Sequence, residues 1–586
     1  MNHHGIRIIG FILVLALGQG LAVAAENFRL PDDLLQLLPA DPALLVAVSS
    51  ADELSREWNR MAALMDPEGD PERIDVSDMM ADLVPHYEEI ADTDRPVAVS
   101  MDFTPLMMGQ EPYFTVFVPL KASFTGRDSL GLDTVKTVTV VKGDYAAIST
   151  APGYTPAEVP PAFAAGLLDG VMSASIDLES VLATYGPFVE MGLAGIPVAS
   201  AIPDTTASGD IVAAPGMSAE EVEALKEMIR SLMDSARRFD MSLDVEGDRL
   251  RYAINFTVLP DSPLDPGPQP DFDEALALTR LLPEGEDILQ VVALDQTRQF
   301  EVFRPFYEAN MKREIAQLDA EQAEKYAAWF QEYLGMVDLW AHPLASALAV
   351  SEDGMMAQVV MKTDDAAGDL ERLAAMFEGL SAADIGISLE ALPSVKVAGT
   401  EVRNWKVAYD ESKLKGFSGT PQSPQLTGMG RMQAEQMSAF LRKVVPGVHL
   451  AAKDDLLFIS ADNGTAALAG MIATAGKRGK PRADAARIAK EAGPGVQQVV
   501  SGDLLAILNW VTEMMEDLDQ KERDTIAGNP IPFAGALTIA DAVYGFEMAM
   551  DMEAMGRLFQ AARAMDLEDE TPTPPQAPDG PVDNDG

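Results

Sequence analysis

The sequence predicts an α+β fold of two duplicated modules, each with largely antiparallel strands packed by helices. Three observations predict it. Short apolar runs alternate with turn residues, helical stretches interrupt them without strict βαβ alternation, and five blocks recur in the same order in both halves of the chain.

The first block sets Leu37–Val48 against Leu281–Val292, each a Leu-Leu-Pro turn running into an apolar strand. The second sets Arg95–Ser100 against His342–Ala347, each followed by a further β-rich run, Tyr113–Val118 and Ala357–Met361. In the third, Val138–Ser149 and His449–Ser460 each read as two strands joined by a Lys-x-Asp turn, hence a hairpin. The fourth, Gly170–Leu182 against Val496–Leu508, is a strand whose terminal Asp177 or Asp503 is placed to cap a helix. The fifth, Met241–Phe256 against Ala536–Met548, is a closing hairpin. Chance accounts for one such block and not for five, so the order argues for duplication.

These blocks and the segments between them set the expected organisation. Residues 1–25 read as a secretory signal peptide: Ile8–Ala25 is uncharged, comes after Arg7, and ends in small residues, so cleavage is expected after Ala24 or Ala25, with an uncleaved anchor as the alternative. The first module covers 26–258. The linker 259–271 holds five prolines and reads as a stiff, extended spacer. The second module covers 272–565, with an insertion around 385–437 that includes the Gly/Ser/Pro-rich tract Gly416–Met429. The acidic tail 566–586 is expected to be disordered. Ser218 with Glu221 forms a capping box opening a helix with Val222, Leu225, Ile229, Leu232 and Ala236 on one face. Asp319 with Gln322 opens another, carrying Tyr326, Trp329, Phe330 and Tyr333.

Composition bounds function. At 586 residues, 47% hydrophobic and 23% charged, the chain has globular proportions, and its net charge of −49 would repel phosphate backbones, so no nucleic acid partner is expected. With 0 Cys, disulfides, zinc ribbons and thiol catalysis are removed. After the leader, no stretch is long and apolar enough to span a bilayer. His86, His342 and His449 fall in different blocks without ligand spacing, and read as separate polar residues. Gly470–Arg478 has the wrong spacing for a phosphate loop and Arg where Ser or Thr must hold magnesium. Glu88-Glu89, Asp364-Asp365 and Asp454-Asp455 read as turns or helix starts, and Asp579–Gly586 lacks the register of a calcium loop.

Methionine is the one unusual abundance, and Phe546, Met548, Met550 and Met552 alternate with Glu547, Ala549 and Asp551. Soft thioethers suit Cu(I), but Tyr252, Ile254, Phe256 and Val258 fill the same role in the first module, so core packing is the preferred reading. Methionine lining of an apolar groove for a lipid or peptide is the related alternative.

Leu38-Pro39-Ala40-Asp41, the strand ends Ile148-Ser149 and Ile459-Ser460, and the pairs Asp177-Leu178 and Asp503-Leu504 carry a resemblance. In these the chain resembles exported bacterial cell-envelope proteins with a domain of unknown function. The resemblance implies an exported, non-enzymatic protein and brings no catalytic residue or cofactor. The expectation is therefore a periplasmic or extracellular protein with a non-catalytic binding or scaffold role. No catalytic, cofactor-binding or metal-ligating residue is assigned, and the partner would be an envelope protein or an apolar ligand. A periplasmic carrier of an apolar ligand is the alternative, and an envelope hydrolase using carboxylates the third reading.

Overall fold

A computed structural model describes residues 27–560 apart from 41, 66–73, 85, 106–109, 125–136, 160, 162–163, 165–166, 195–203, 206–210, 213–217, 317, 352–353, 384–386, 411–446, 505–528 and 559. The expected signal peptide, the Gly416–Met429 tract and the acidic tail lie outside the described residues.

The fold is α+β around one large antiparallel sheet. In the first half its strands are β1 (Leu44–Val48), β2 (Val97–Asp102), β3 (Tyr113–Pro119), β4 (Val138–Lys142), β5 (Tyr145–Ser149), β6 (Met172–Asp177), β7 (Ala236–Glu246) and β8 (Arg249–Val258). In the second they are β9 (Ile288–Val292), β10 (Leu344–Ser351), β11 (Gly354–Lys362), β12 (Ile387–Val397), β13 (Thr400–Tyr409), β14 (Gly447–Lys453), β15 (Leu456–Ala461), β16 (Val496–Asp503), β17 (Pro532–Ala540) and β18 (Val543–Asp551). The helices are α1 (Asp32–Leu35), α2 (Ala51–Met65), α3 (Val76–Leu83), α4 (Tyr87–Ile90), α5 (Leu178–Ala194), α6 (Ala219–Ser235), α7 (Phe272–Leu278), α8 (Thr297–Ile315), α9 (Ala320–Leu334), α10 (Ala366–Ala383), α11 (Ala466–Ala475) and α12 (Ala483–Ala492).

Among the described residues, seventeen ladders join these eighteen strands in a single line. Among the described residues, β4 and β12 are its two edges. The centre of the line is β8 against β18, with Ala253 opposite Glu547. Outward from this seam run β7, β6, β1, β2, β3, β5 and β4 on one side. On the other run β17, β16, β9, β10, β11, β15 and β14, the strands of the corresponding sequence blocks in the corresponding order. The second half then adds the hairpin β12–β13, which lies in the expected insertion and pairs with β14.

Helices cover both faces. On one face, Leu278 of α7, Met471 and Ile472 of α11 and Ile488 of α12 pack on Leu289, Val291, Val360 and Phe458, while Leu34 of α1 packs near Leu45, Phe117 and Tyr145. On the other, Leu370 and Leu373 of α10 cover Trp405 and Leu450, and Met80 of α3 with Tyr87 of α4 covers Val116 and Ile148. Such burial stabilises by about 25 cal/mol per Å² of apolar area.

Local chemistry sets the boundaries. The Ser218–Glu221 capping box opens α6, and Asp319 accepts the Glu321 and Gln322 N–H groups at the start of α9. Ala236, expected on the α6 helix face, instead opens β7. Asp177 caps α5 by accepting the Ser180 N–H at 3.1 Å. Asp503 accepts the Ile531 N–H at 2.7 Å, and residues 505–528 between them lie outside the described set. The two Lys-x-Asp turns form as expected, with Lys142 opposite Tyr145 and Lys453 opposite Leu456; Gly143 and Asp454 take the left-handed conformation these turns require. The proline-rich link is not an extended spacer. Consecutive turns fold it, because the Asp265 carboxylate gathers the Asp261 and Gly267 N–H groups at 2.5 and 3.0 Å, and Leu264 is buried.

Candidate functional site: the sheet face at the seam

Antiparallel pairing places side chains opposite one another on the same face. Across β6, β7, β8, β18 and β17 one such row reads Ala174, Met241, Ile254, Phe546 and Leu537. A second row reads Ile176, Phe239, Phe256, Tyr544 and Ile539. A third carries Leu243, Tyr252 and Met548. The methionine stripe of β18 and the aromatic and aliphatic stripe of β8 therefore lie side by side on one apolar floor. Met552, expected on that stripe, leaves it: the Asp551 carboxylate accepts the Ala554 N–H at 2.8 Å, the chain turns helical from Met552, and its side chain is buried.

This floor is covered unevenly. Among the described residues, the core cluster under α7, α11 and α12 has 23 buried residues and 6 partly buried ones packed against it, whereas the floor's first-half cluster has 4 buried and 7 partly buried. Ile254, Tyr252, Phe239, Phe256, Met548 and Leu537 are all only partly buried. α5, which packs against β7, exposes Phe188 by 41% and Met191 by 65%. One end of the floor is pinned by Tyr544, whose hydroxyl donates to Leu264 O at 2.7 Å and accepts from Gln299 Nε2 of α8 at 2.7 Å. Burial pushes the Tyr544 phenol up to about 12, so it stays a donor at neutral pH. Chemically, the floor can shed water against an apolar surface and offers little else.

The reverse face of the seam is polar. Arg251 of β8 forks onto Glu547 of β18, its Nη2 3.0 Å from Glu547 Oε2. On β7, burial raises the pKa of Asp240, which nonetheless takes Arg238 Nε at 2.6 Å, and burial raises Asp244 as well. Four residues of strand put the Cα atoms of these two residues about 13 Å apart, where a glycosidase pair holds its carboxyls roughly 5–9.5 Å apart. Comparison with protein-family models, curated proteins and solved structures returns no match.

The remaining sequence candidates stay apart. His86 is exposed beside Glu89, and His342 ends the short 3-10 turn Val337–Ala341. Glu88 and Glu89 sit in the first turn of α4, Asp364 and Asp365 in the turn before α10, and Asp454 and Asp455 in the β14–β15 turn. Gly470–Arg478 spans the second half of α11 and the three residues beyond its end, and Asp579–Gly586 lies outside the described residues. Among the described residues, no group of three or more His, Cys, Asp or Glu could hold a metal ion, and no helix is long and apolar enough to cross a membrane.

Sequence reasoning missed one cluster. His449 is buried with Asn404, Ser460 and Asp462, its Nδ1 2.8 Å from Asn404 Oδ1 and its Nε2 3.2 Å from Asp462 Oδ1. The Ser460 hydroxyl donates to Asp462 Oδ2 at 2.8 Å and not to the histidine, so the three do not form a nucleophile relay. A two-residue turn at Asp454-Asp455 already implies that His449 stands opposite Ser460, which is the signal that could have found them.

Proposed function

We propose that the chain is an exported binding protein of the bacterial cell envelope, two modules of common origin that hold an apolar ligand on the sheet face at their seam. The observation that carries this reading is the partly covered floor around Ile254 and Met548, which no charged side chain of those rows interrupts. Partly buried methionine, tyrosine and isoleucine suit a flexible apolar guest, because thioethers repack at small cost. Covering about 200 Å² of it would contribute about 5 kcal/mol before ordering costs. The Ile8–Ala25 segment and the envelope-protein resemblance support export. This puts the carrier reading ahead of the protein scaffold.

Native mass spectrometry of detergent-free protein tests it, alongside titration with a fluorescent apolar probe. The expected result is a discrete added mass and saturable probe binding, both lost in Ile254→Lys, with probe affinity down at least about tenfold for a charge set into an apolar site. A bare protein that binds no probe would end the carrier reading in favour of the scaffold.

A further inference from the structure

We propose that His449 is held as an imidazolium that clasps the β12–β13 hairpin onto β14. The hydrogen-bond directions require Nδ1 to carry hydrogen, and the carboxylate beside Nε2 calls for a second. Asn404 Nδ2 donates to Pro393 O at 3.1 Å and Val402 O at 3.3 Å, so its Oδ1 is the atom turned to the ring. Flipping the amide would set its oxygen against two carbonyls. That oxygen can only accept, so Nδ1 is protonated.

On the other side, Nε2 lies 3.2 Å from Asp462 Oδ1, a close ion-pair contact without the alignment of a hydrogen bond. Asp462 also accepts the Gly464 N–H at 2.8 Å and the Ser460 hydroxyl. Burial pushes this carboxyl up, but His449, Gly464 and Ser460 outweigh it and hold it below the usual carboxylate range. A bare Nε2 lone pair would face an anion in a water-poor site; a proton there turns repulsion into attraction. On the face that bears His449, the other charged groups of the packed strands are Lys406 of β13 and Glu390 of β12, paired opposite each other and exposed, and Lys453 further along β14, whose Nζ donates to Ile472 O of α11.

The placement ties the charge to the hairpin. β13 attaches through Val402–Lys406 against Gly447–Ala451, and Asn404 opposite His449 is the middle pair of that ladder. In the first half the same register puts Val138 opposite Ser149, so Val138 stands where His449 stands and Ala151 where Asp462 does. There, among the described residues, no hairpin pairs beyond β4. The buried charge occurs where the extra hairpin occurs.

Proton loss from Nε2 to solvent would leave its lone pair facing Asp462 and reduce the Asn404 contact to a neutral hydrogen bond. The depressed Asp462 pKa sets the acid limb: its contribution is full above the ordinary carboxylate range and is lost as pH falls through the folded value.

Nitrogen NMR of the histidine rings in the full chain is the first test, with two protonated ring nitrogens at His449 expected at about pH 7. Hydrogen exchange of β13 amides, corrected for intrinsic rate, is the second. Protection should fall about tenfold in His449→Val, which strands the Asp462 carboxylate, while that of β10 holds. The double variant His449→Val/Asp462→Ala, which carries the first-half residues and strands no charge, should recover most of it. An unprotonated Nε2 at about pH 7, or β13 protection in His449→Val equal to that of the natural chain, would overturn the proposal.

Discussion

Truncating Phe458 to alanine should destabilise the protein by about 3–5 kcal/mol, and adding Val360→Phe to the same chain should return most of the loss. Phe458 is fully buried on β15 opposite Val360 of β11. The equivalent pair in the first half is Phe117 of β3 opposite Ala147 of β5, also fully buried. The large ring stands on one strand in one half and on its neighbour in the other. Each pair thus fills its layer with one aromatic and one small partner, and Phe458→Ala/Val360→Phe moves the second half to the arrangement the first half uses. Guanidinium unfolding with unchanged slope would report the difference. A double variant no more stable than Phe458→Ala would show that the helices above Phe458 dictate which strand bears the ring.

The five sequence blocks made most of this sheet legible, because a buried strand writes its period into the chain and a two-residue turn writes its register. The Lys-x-Asp turns are the clearest case: the spacing alone sets Val138 opposite Ser149 and His449 opposite Ser460. The seam was not legible. β8 and β18 each close a hairpin with a free outer edge, and nothing local says that Ala253 will meet Glu547 almost three hundred residues away. The hairpin β12–β13 was also missed, since Pro393 interrupts its first strand and Glu390, Lys396, Glu401 and Arg403 break the apolar pattern. Its first strand is an edge with a bulge between Leu392 and Val395, and residues 390–396 are exposed, so that strand owes little to burial.

The same reasons divide the candidate site. The alternation in Phe546–Met550 correctly put those side chains on one face of a strand, yet it could not say that the Tyr252–Phe256 stripe of the other half would lie alongside and double the floor's width. Alternation reports a face; only the seam makes it continuous. His449 read as one isolated histidine because its two polar partners come from elsewhere: Asn404 from the strand that went unforeseen, Asp462 from two residues past Ser460.

Removing the cation from a buried pair should produce the second large effect. Arg482 forks onto Glu286, with Nη1 3.0 Å from Oε2 and Nη2 on the other oxygen, and Nη1 also donates to Pro283 O at 3.3 Å. The Glu286 side chain is 7% exposed and that of Arg482 is 23% exposed, so the carboxylate has almost no water to fall back on. Arg482→Met keeps an apolar stem but strands that charge, and should cost about 3–5 kcal/mol. Glu286→Gln in the same chain removes the stranded charge and should recover a substantial part, which simple loss of packing at residue 482 would not allow. Thr279 Oγ1 still accepts the residue 482 N–H at 2.9 Å in either variant, so the start of α12 stays tethered. Urea midpoints of the single and double variants decide the matter: a double variant no more stable than Arg482→Met would mean that the guanidinium acts by filling space and not by charge.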